Sequence, residues 1–513
     1  MLGRSLGFAA VLALPFHVSA QNTTSTGFKG CDALLDAGLE EILVFPEDVA
    51  YTESTSLYYA ASNRKLQPYC IVQPRSTQQV SSVVKALGGV SAAGNWDIAI
   101  RSGGHSDYDN NAVDRGVTID LTFFNSTNVI EKGKAHWNGT STLTKSIAQI
   151  RPAARWGDVL TYLEKFNLGV TGGRSGHVGA GGLLLSGGAS FHIQKWGISC
   201  DNVVNYEVVL ADGSIVNANA NANKDLWKAL KGGGSNLGIV TRFDLRTFTV
   251  PSEIYGGMMF TSWADSDKVI DQFVDYTSGI KSTGHPDHEF IIYRDDLGSR
   301  SVMVLAVSTD GNTKSTNLAP FKNMTLIRDT MATQSLGEMT ATIADTGGSN
   351  YIAFSLILQS RKEIMEKAKE IFEALTEDIA DSKIPASLNF IFQPFPKLLA
   401  SVNPGGNILG LQDNLPANSI LFESRFTLAA DDSSYKGVAS SKLGRAVQEL
   451  KEYSASLDGH SSYIYMNYAG PEQDVIGSYG KENVQFLKDT AAKYDPTGFF
   501  QYRVPGGWKV SRV

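Results

Sequence analysis

The chain has 513 residues, a formal net charge of −7, 42% hydrophobic residues and 19% charged residues. This is the composition of a globular protein, too long for one hydrophobic core, so two large substructures are expected. A mildly acidic chain with no basic stripe argues against nucleic acid as a partner.

The first twenty residues, MLGRSLGFAAVLALPFHVSA, read as a secretory signal peptide. Arg4 precedes an apolar run over residues 6–16, which ends at the small-residue site Val18-Ser19-Ala20. That run is too short to span roughly 30 Å of hydrocarbon and contains Pro15, so no membrane anchor is expected. A secreted chain beginning near Gln21 makes the Asn-X-Ser/Thr triplets at Asn22, Asn125, Asn138 and Asn323 candidate glycan sites. The cysteines are Cys31, Cys70 and Cys200. An oxidising compartment favours one disulfide and one free thiol. Cys31 and Cys70 share the N-terminal region and are the expected pair. Cys200, in GISCDNVV, reads as a buried structural thiol.

Residues 21–63 form a lead-in with one helix. Over 64–248, short strands in CIVQP (70–74), IAIRSG (98–103) and GVTIDL (116–121) alternate with helices. STQQVSSVVKAL (76–87) has a polar start and helical apolar spacing. YEVVLADGSIV (206–216) reads as a hairpin turning at Asp212-Gly213. Residues 249–455 mix strands such as YGGMMF and SVMVLAV with amphipathic helices such as SRKEIMEKAKEIFEAL (360–375), an α+β layer with a mostly antiparallel sheet. The tail, 456–513, reads as a strand in SSYIYMNYAG and a helix in KENVQFLKDTAAKY.

The densest chemical signal is the glycine run TGGRSGHVGAGGLLLSGGAS (171–190). Glycines let backbone N–H groups close on a ligand, and successive N–H groups make an anion cradle suited to pyrophosphate. Tight turns are the plainer alternative. A Rossmann site fails on spacing, because Leu184 stands where the third glycine of GxGxxG belongs, and no P-loop pattern occurs. A second signal, Arg101-Ser102-Gly103-Gly104-His105-Ser106, follows the apolar strand DIAI. His285-Pro286-Asp287-His288 reads as a surface turn, and no other His or Cys cluster completes a ligand set, so no metal is expected.

Together these motifs resemble the berberine-bridge-enzyme-like branch of the vanillyl-alcohol-oxidase flavoprotein family. The markers are IVQPRSTQQV, RSGGHS, the glycine run, WGISCDNV, ADGSIV, DLWKALKGGGSNLGIVT, YMNY and YDPTGFF. The resemblance implies a two-domain α+β protein. A PCMH-type FAD-binding domain (64–248, with 456–513 returning to it) carries a substrate domain (249–455) whose antiparallel sheet covers the flavin. It implies FAD bonded covalently to His105. The cofactor-binding positions it implies are Arg101, Ser102, Gly103, Gly104, Ser106, Gly173, Ser175, Val178, Gly181, Gly182, Gly187, Gly188, Gly238, Ile239, Val240 and Asn467. Many members carry a second link from a cysteine. Here Val178-Gly179-Ala180-Gly181-Gly182 fixes the register and places Ser175 there, so a single link is expected. Val178, small and near the flavin C4a in the family, favours reoxidation by O2.

In the family the last tyrosine of the YMNY motif is a general base, which implies Tyr468, with Tyr465 next. On a strand Tyr465 and Asn467 would point one way and Tyr468 the other. Packing aromatics are the equal alternative. SILFESRF (419–426) resembles a strand that carries a catalytic Glu or Gln in plant members. Arg425 aligns there and, always charged, is expected to lower the pKa of Tyr468 or anchor an anionic substrate. Gln393 is a further pocket residue. The implied activity is a secreted oxidase that moves a hydride from a small metabolite to FAD and releases H2O2. A carbohydrate oxidase is the alternative within the class, and a binding protein that lost its redox chemistry is the alternative outside it.

Overall fold

The computed structural model describes residues 25–133, 145–281, 284–402 and 406–513. The predicted signal peptide and the Asn22 and Asn138 triplets lie outside the described residues. Among the described residues no helix is long and apolar enough to cross a membrane.

The β-branched segments of the first substructure make a small sheet in the order β1 (Leu43–Val44), β2 (Cys70–Val72), β4 (Val117–Asp120), β3 (Ile98–Arg101). β2, β4 and β3 run parallel, and β1 closes the edge antiparallel. Helix α1 (Thr77–Gly89) lies where its apolar spacing predicts it. Ser76 caps it, its side chain accepting from the Gln79 N–H. Val80, Val83, Val84 and Leu87 fall on one face and pack against Val72, Ile98, Val117 and Ile119. Burying each such side chain stabilises by roughly 1.5–3 kcal/mol relative to exposure. Cys31 and Cys70 are joined, with Cα atoms 6.2 Å apart, tying the helix Lys29–Asp36 to β2. Cys200 is a buried free thiol.

The second sheet is antiparallel, in the order β5 (Thr127–Ile130), β6 (Ile147–Ile150), β9 (Ile239–Arg246), β7 (Val203–Val209), β8 (Ile215–Asn219). β7 and β8 form the expected hairpin, and the Asp212 carboxylate accepts from the Ser214 N–H in its turn.

The third sheet has nine antiparallel strands. Its path runs β13 (Leu326–Asp329), β10 (Ile254–Ser262), β12 (Ser299–Ser308), β11 (Asp287–Asp296), β16 (Ala386–Phe395), β17 (Ser419–Leu428), β15 (Asn350–Gln359), β18 (His460–Ser461). β14 (Ala332–Gln334) also pairs with β10. The two-residue period divides this sheet. Ile291 and Tyr293 on β11, Phe390 and Phe392 on β16, and Phe422 and Phe426 on β17 pack in one core with helices α2 (Ser266–Gly279), α3 (Lys362–Asp381) and α4 (Lys436–Ser456). The intervening residues face a cavity.

The C-terminal segment departs from expectation in one respect. SSYIYMNYAG is not a strand beyond β18, and Met466–Tyr468 is a 3-10 turn. Side chains take the place of ladder partners: the Tyr463 N–H donates to Ser461 Oγ and the Ile464 N–H to Ser478 Oγ. Tyr463, Tyr465 and Met466 sink into the core that holds β6, β7 and β9, while Phe499, Phe500 and Val504 join the core under α1.

Candidate active site

The bare face of the third sheet covers a cavity of about 770 Å³, whose opposite wall is built by the RSGGHS loop and the glycine run. These two motifs are far apart in sequence and touch backbone to backbone. A Cβ on Gly103 would lie 2.5 Å from the Gly179 Cα, closer than real atoms approach, so neither position has room for a side chain.

Of the residues expected to bind a cofactor, Ser102, Gly103, Gly104, His105, Ser106, Ser175, Val178, Gly181, Gly182, Gly238, Ile239, Val240 and Asn467 line the cavity. Arg101, Gly173, Gly187 and Gly188 stand behind it instead. Arg101 is buried against Asp120, 3.4 Å away, and donates to the Ser54 carbonyl at 2.7 Å, which fixes the start of the loop. The space beside Gly173 is filled by the Trp156 indole. The Gly188 N–H donates to Asn467 Oδ1 at 3.2 Å, so Asn467 ties the C-terminal turn to the glycine run.

His105 stacks on Tyr59, with ring centres 3.8 Å apart. The Tyr59 hydroxyl donates to Asp345 and accepts from Arg425 at 2.9 Å. Burial, then the Arg425 and Arg155 cations, push the His105 pKa down to about 3. Its imidazole is therefore neutral at ordinary pH, and its Nε2 is buried with no protein partner.

Arg425 lines the cavity, but its guanidinium rests on Asp107 and Tyr59 and not on Tyr468. It donates to Asp107 at 2.7 Å and lies over the Tyr351 ring, on the His105 side of the cavity. The cation on the Tyr468 hydroxyl is Arg174, at 2.5 Å. The reason is topological: β17 aims Arg425 at the acidic loop after His105, whereas Arg174 leaves the glycine run directly beneath the C-terminal turn. His288 also corrects its expectation. It belongs to β11, in register with Val307, and is buried, its Nε2 3.1 Å from Arg174 Nη1. The Asp287 carboxylate, satisfied by Ser308, Ser315 and Asn317, allows the strand to begin inside the protein.

Glu423 was missed in the sequence. It precedes Arg425 by two residues, faces the same cavity, and lies 3.7 Å from its guanidinium. Burial raises its carboxyl to about 7, against the opposing pull of Arg425. The alternation of SILFESRF, with Phe422 and Phe426 inward, was a usable signal for it. Gln393 lines the cavity, its Oε1 buried and unpartnered. Tyr465 is buried edge-on to Tyr468, ring centres 5.0 Å apart.

The cavity has two chemical halves. Near the loop and glycine run, His105 Nε2, Asn110 Oδ1, Asn111 Oδ1 and Ser175 Oγ are buried polar atoms with no partner in the protein. Buried polar groups are ordinarily hydrogen-bonded, so these atoms fit a bound polar group, and the side-chain-free contact of Gly103 with Gly179 fits a phosphate-bearing one. Under the sheet, Met258, Phe260, Phe290, Ile292, Met303, Leu305 and Ile391 make an apolar roof. Among the described residues no cluster of three or more His, Cys, Asp or Glu could hold a metal ion.

Known flavoproteins are similar to this chain in sequence and in fold. The family described as FAD binding domain matches residues 68–219. The chain is 32% identical to the FAD-dependent monooxygenase sdcF of Emericella nidulans over 94% of its own length and 98% of the relative's. It is 30% identical to the FAD-dependent monooxygenase drtC of Aspergillus calidoustus, covering 94% of this chain and 90% of that one. In fold it is similar to xylooligosaccharide oxidase from Myceliophthora thermophila C1 in complex with xylobiose (TM-score 0.72, 21% identity, 94% and 99% of the two chains). It is equally similar to a variant of berberine bridge enzyme in complex with (S)-reticuline (TM-score 0.72, 15% identity, 94% and 99%). Fold and site together define a PCMH-type flavoprotein that uses FAD. The chain belongs to the FAD-dependent oxidoreductases that include the fungal FAD-dependent monooxygenases, and its fold is that of berberine bridge enzyme.

Proposed function

We propose that this protein is a secreted oxidase of a small, largely apolar metabolite, with FAD bonded to His105. The observation that carries the reading is the cavity itself. A neutral, desolvated imidazole and unpaired polar atoms lie at one wall, and an apolar roof with ionisable groups lies at the other. Its FAD domain would comprise 64–248 and 456–513, and its substrate domain 249–455. The Cys31–Cys70 disulfide and the exposure of Asn125 and Asn323 support secretion and glycosylation.

FAD, when bound, supplies a hydride acceptor and a route for electrons to dioxygen, which leaves as hydrogen peroxide. The chain's own residues do the rest. Ser102 to Ser106, Ser175, Val178, Gly181, Gly182 and the segment Gly238 to Val240 hold the cofactor. The side chain at Ser175 cannot form a thioether, so His105 is the single link. Met258, Phe260, Phe290 and Ile292 exclude water from the substrate. Tyr468 takes the proton that the substrate releases, because a cation already rests on its hydroxyl. Glu423 and Gln393 line the substrate side, and Arg425 orders the wall around His105 through Tyr59 and Asp107.

The apolar roof favours a metabolite over an oligosaccharide, which would demand a hydrogen bond for each hydroxyl. The names of the fungal relatives favour one competing outcome, incorporation of oxygen into the product. A metabolite panel turned over under isotopically labelled dioxygen separates the two. Oxidase chemistry gives one peroxide per product and unlabelled product. Label in the product would replace the oxidase reading with a monooxygenase one. Turnover of oligosaccharides alone would replace the substrate class.

A further inference from the structure

Tyr59 belongs to neither predicted domain. It lies in the lead-in, between the helices Val49–Ser56 and Ala61–Arg64, and is 4% exposed. Its backbone joins two distant loops. The Tyr59 N–H donates to the Gly104 carbonyl at 3.0 Å, and the Tyr59 carbonyl accepts from the Gly348 N–H at 2.7 Å. The first loop carries His105, and the second leads into β15. Gly347 comes so near that a Cβ on it would lie 2.4 Å from the same carbonyl oxygen.

The ring of Tyr59 stacks with two others. The His105 imidazole is centred 3.8 Å away with its plane inclined by 19°, and the Tyr351 ring of β15 is 4.6 Å away at 10°. The Tyr59 hydroxyl donates to Asp345 and accepts from Arg425 of β17, whose guanidinium lies 4.3 Å from the centre of the Tyr351 ring. The ring that touches the imidazole is therefore held by the third sheet and the loop before β15.

An imidazole turns readily about its Cβ–Cγ bond, because that torsion has broad minima. His105 Nε2 has no protein partner that would fix the ring. A face-to-face stack does fix it, since turning would drive the imidazole edge into Tyr59. Bond formation at a ring nitrogen needs its lone pair aimed at the reacting atom, and a small error of aim costs much of the rate.

We propose that Tyr59 is a positioning residue for cofactor attachment: its ring sets the plane of the His105 imidazole, and the third sheet sets that ring through Asp345, Tyr351 and Arg425. This rests on the reading of His105 as the point of attachment. The bond then forms only after the sheet has docked on the RSGGHS loop. In that step a His105 ring nitrogen bonds to the 8α methyl carbon of FAD. One C–H bond of the methyl group and the imidazole N–H bond break. The two electrons reduce the flavin and pass to dioxygen, which takes up two protons and leaves as hydrogen peroxide.

The test needs no substrate. Each purified protein is incubated with added FAD in air and freed of excess. Native absorbance gives its total flavin, and absorbance left in the acid precipitate gives the bonded share. Wild type should hold nearly all its flavin in the bonded form. In Tyr59→Leu the ratio of released to bonded flavin should rise by roughly 10- to 100-fold, the scale set by a misaimed reacting group. Tyr59→Phe and Asp345→Ala keep the stacked ring and cut its anchors, and should fall between. A packing role alone would lower total flavin or melting temperature and leave the ratio unchanged. A folded Tyr59→Leu that bonds flavin as fully as wild type overturns the proposal. Wild-type bonding in both Tyr59→Phe and Asp345→Ala overturns the sheet's part in it, and decides the matter if Tyr59→Leu does not fold. Wild-type protein with no acid-stable flavin defeats instead the reading of His105 on which the proposal rests.

Discussion

Glu423 is a carboxyl that burial holds near neutrality, and its energetics can be followed through pH. Its folded value of about 7 stands above the ordinary 4.5. Between those values the folded protein keeps a proton that the unfolded chain has released, so this group lowers stability as pH rises through the window. Glu423→Gln cannot ionise. Relative to wild type it should be neutral near about pH 4.5 and gain stability toward about pH 8, on the order of 3 kcal/mol from the size of the shift. Differential scanning calorimetry of the two proteins across that range checks the slope, and parallel melting curves at all pH values would refute it. This residue also shows what the sequence withheld. The place of His105 on the cavity wall was legible through the resemblance that RSGGHS carries together with the glycine run, since the motif alone reads as an ordinary loop histidine. Glu423 was within reach of the same alternation that placed Phe422 and Phe426 inside. The partner of Tyr468 was not legible, because Arg174 lies 294 residues away in sequence and only the folded topology brings the two together.

At the scale of elements, the helices and strands with a clear period appeared where expected, and the misreadings came where side chains override it. YMNY alternates like a strand, yet Tyr465 is buried, Tyr468 is half-buried and Asn467 is committed to the glycine run, so the backbone turns. His285 to His288 looks like an exposed turn because it contains proline and charge. The buried hydrogen bonds to Asp287 make it the head of a core strand. The glycine run divides between two tasks that its composition cannot separate. Gly172 and Gly173 make room for Trp156, whereas Gly103 and Gly179 let two loops meet at the cavity. Gly103→Ala tests the second task. Its Cβ would strike backbone, which cannot swing aside as a side chain could. The loop must move, at a cost of roughly 1–3 kcal/mol by the general measure for overpacking. The purified variant should show reduced flavin absorbance per protein and a lower melting temperature. Gly89→Ala, at the end of α1 and outside the cavity lining, where a Cβ meets nothing within 4 Å, should keep wild-type flavin content and melt no lower than wild type. Equal flavin content in Gly103→Ala and wild type would show that this contact does not shape the cofactor wall.

In the whole molecule, the core that holds the glycine run and the core behind the third sheet are separate, and the cavity lies along the bare face of that sheet. A cofactor filling this space would touch both parts, and so would contribute to the stability of their union as well as to chemistry. A ligand that binds only the folded state stabilises it by an amount set by its concentration over Kd, about 2.7 kcal/mol at a hundredfold excess. A covalent link changes the form of this dependence, because the cofactor cannot leave. If FAD is bonded to His105, wild-type melting should be indifferent to added FAD, and acid-precipitated protein should stay yellow. His105→Ala removes the bond and keeps the cradle of Gly103, Gly179, Gly181 and Gly182. It should lose flavin on acid precipitation, melt lower as purified, and rise in melting temperature as FAD is added. Peptide mapping of digested wild type should place the flavin on a single peptide containing His105. A wild-type protein whose melting follows added FAD, or whose flavin dissolves away in acid, holds its cofactor without the bond. A second flavin peptide would contradict the single link inferred from Ser175.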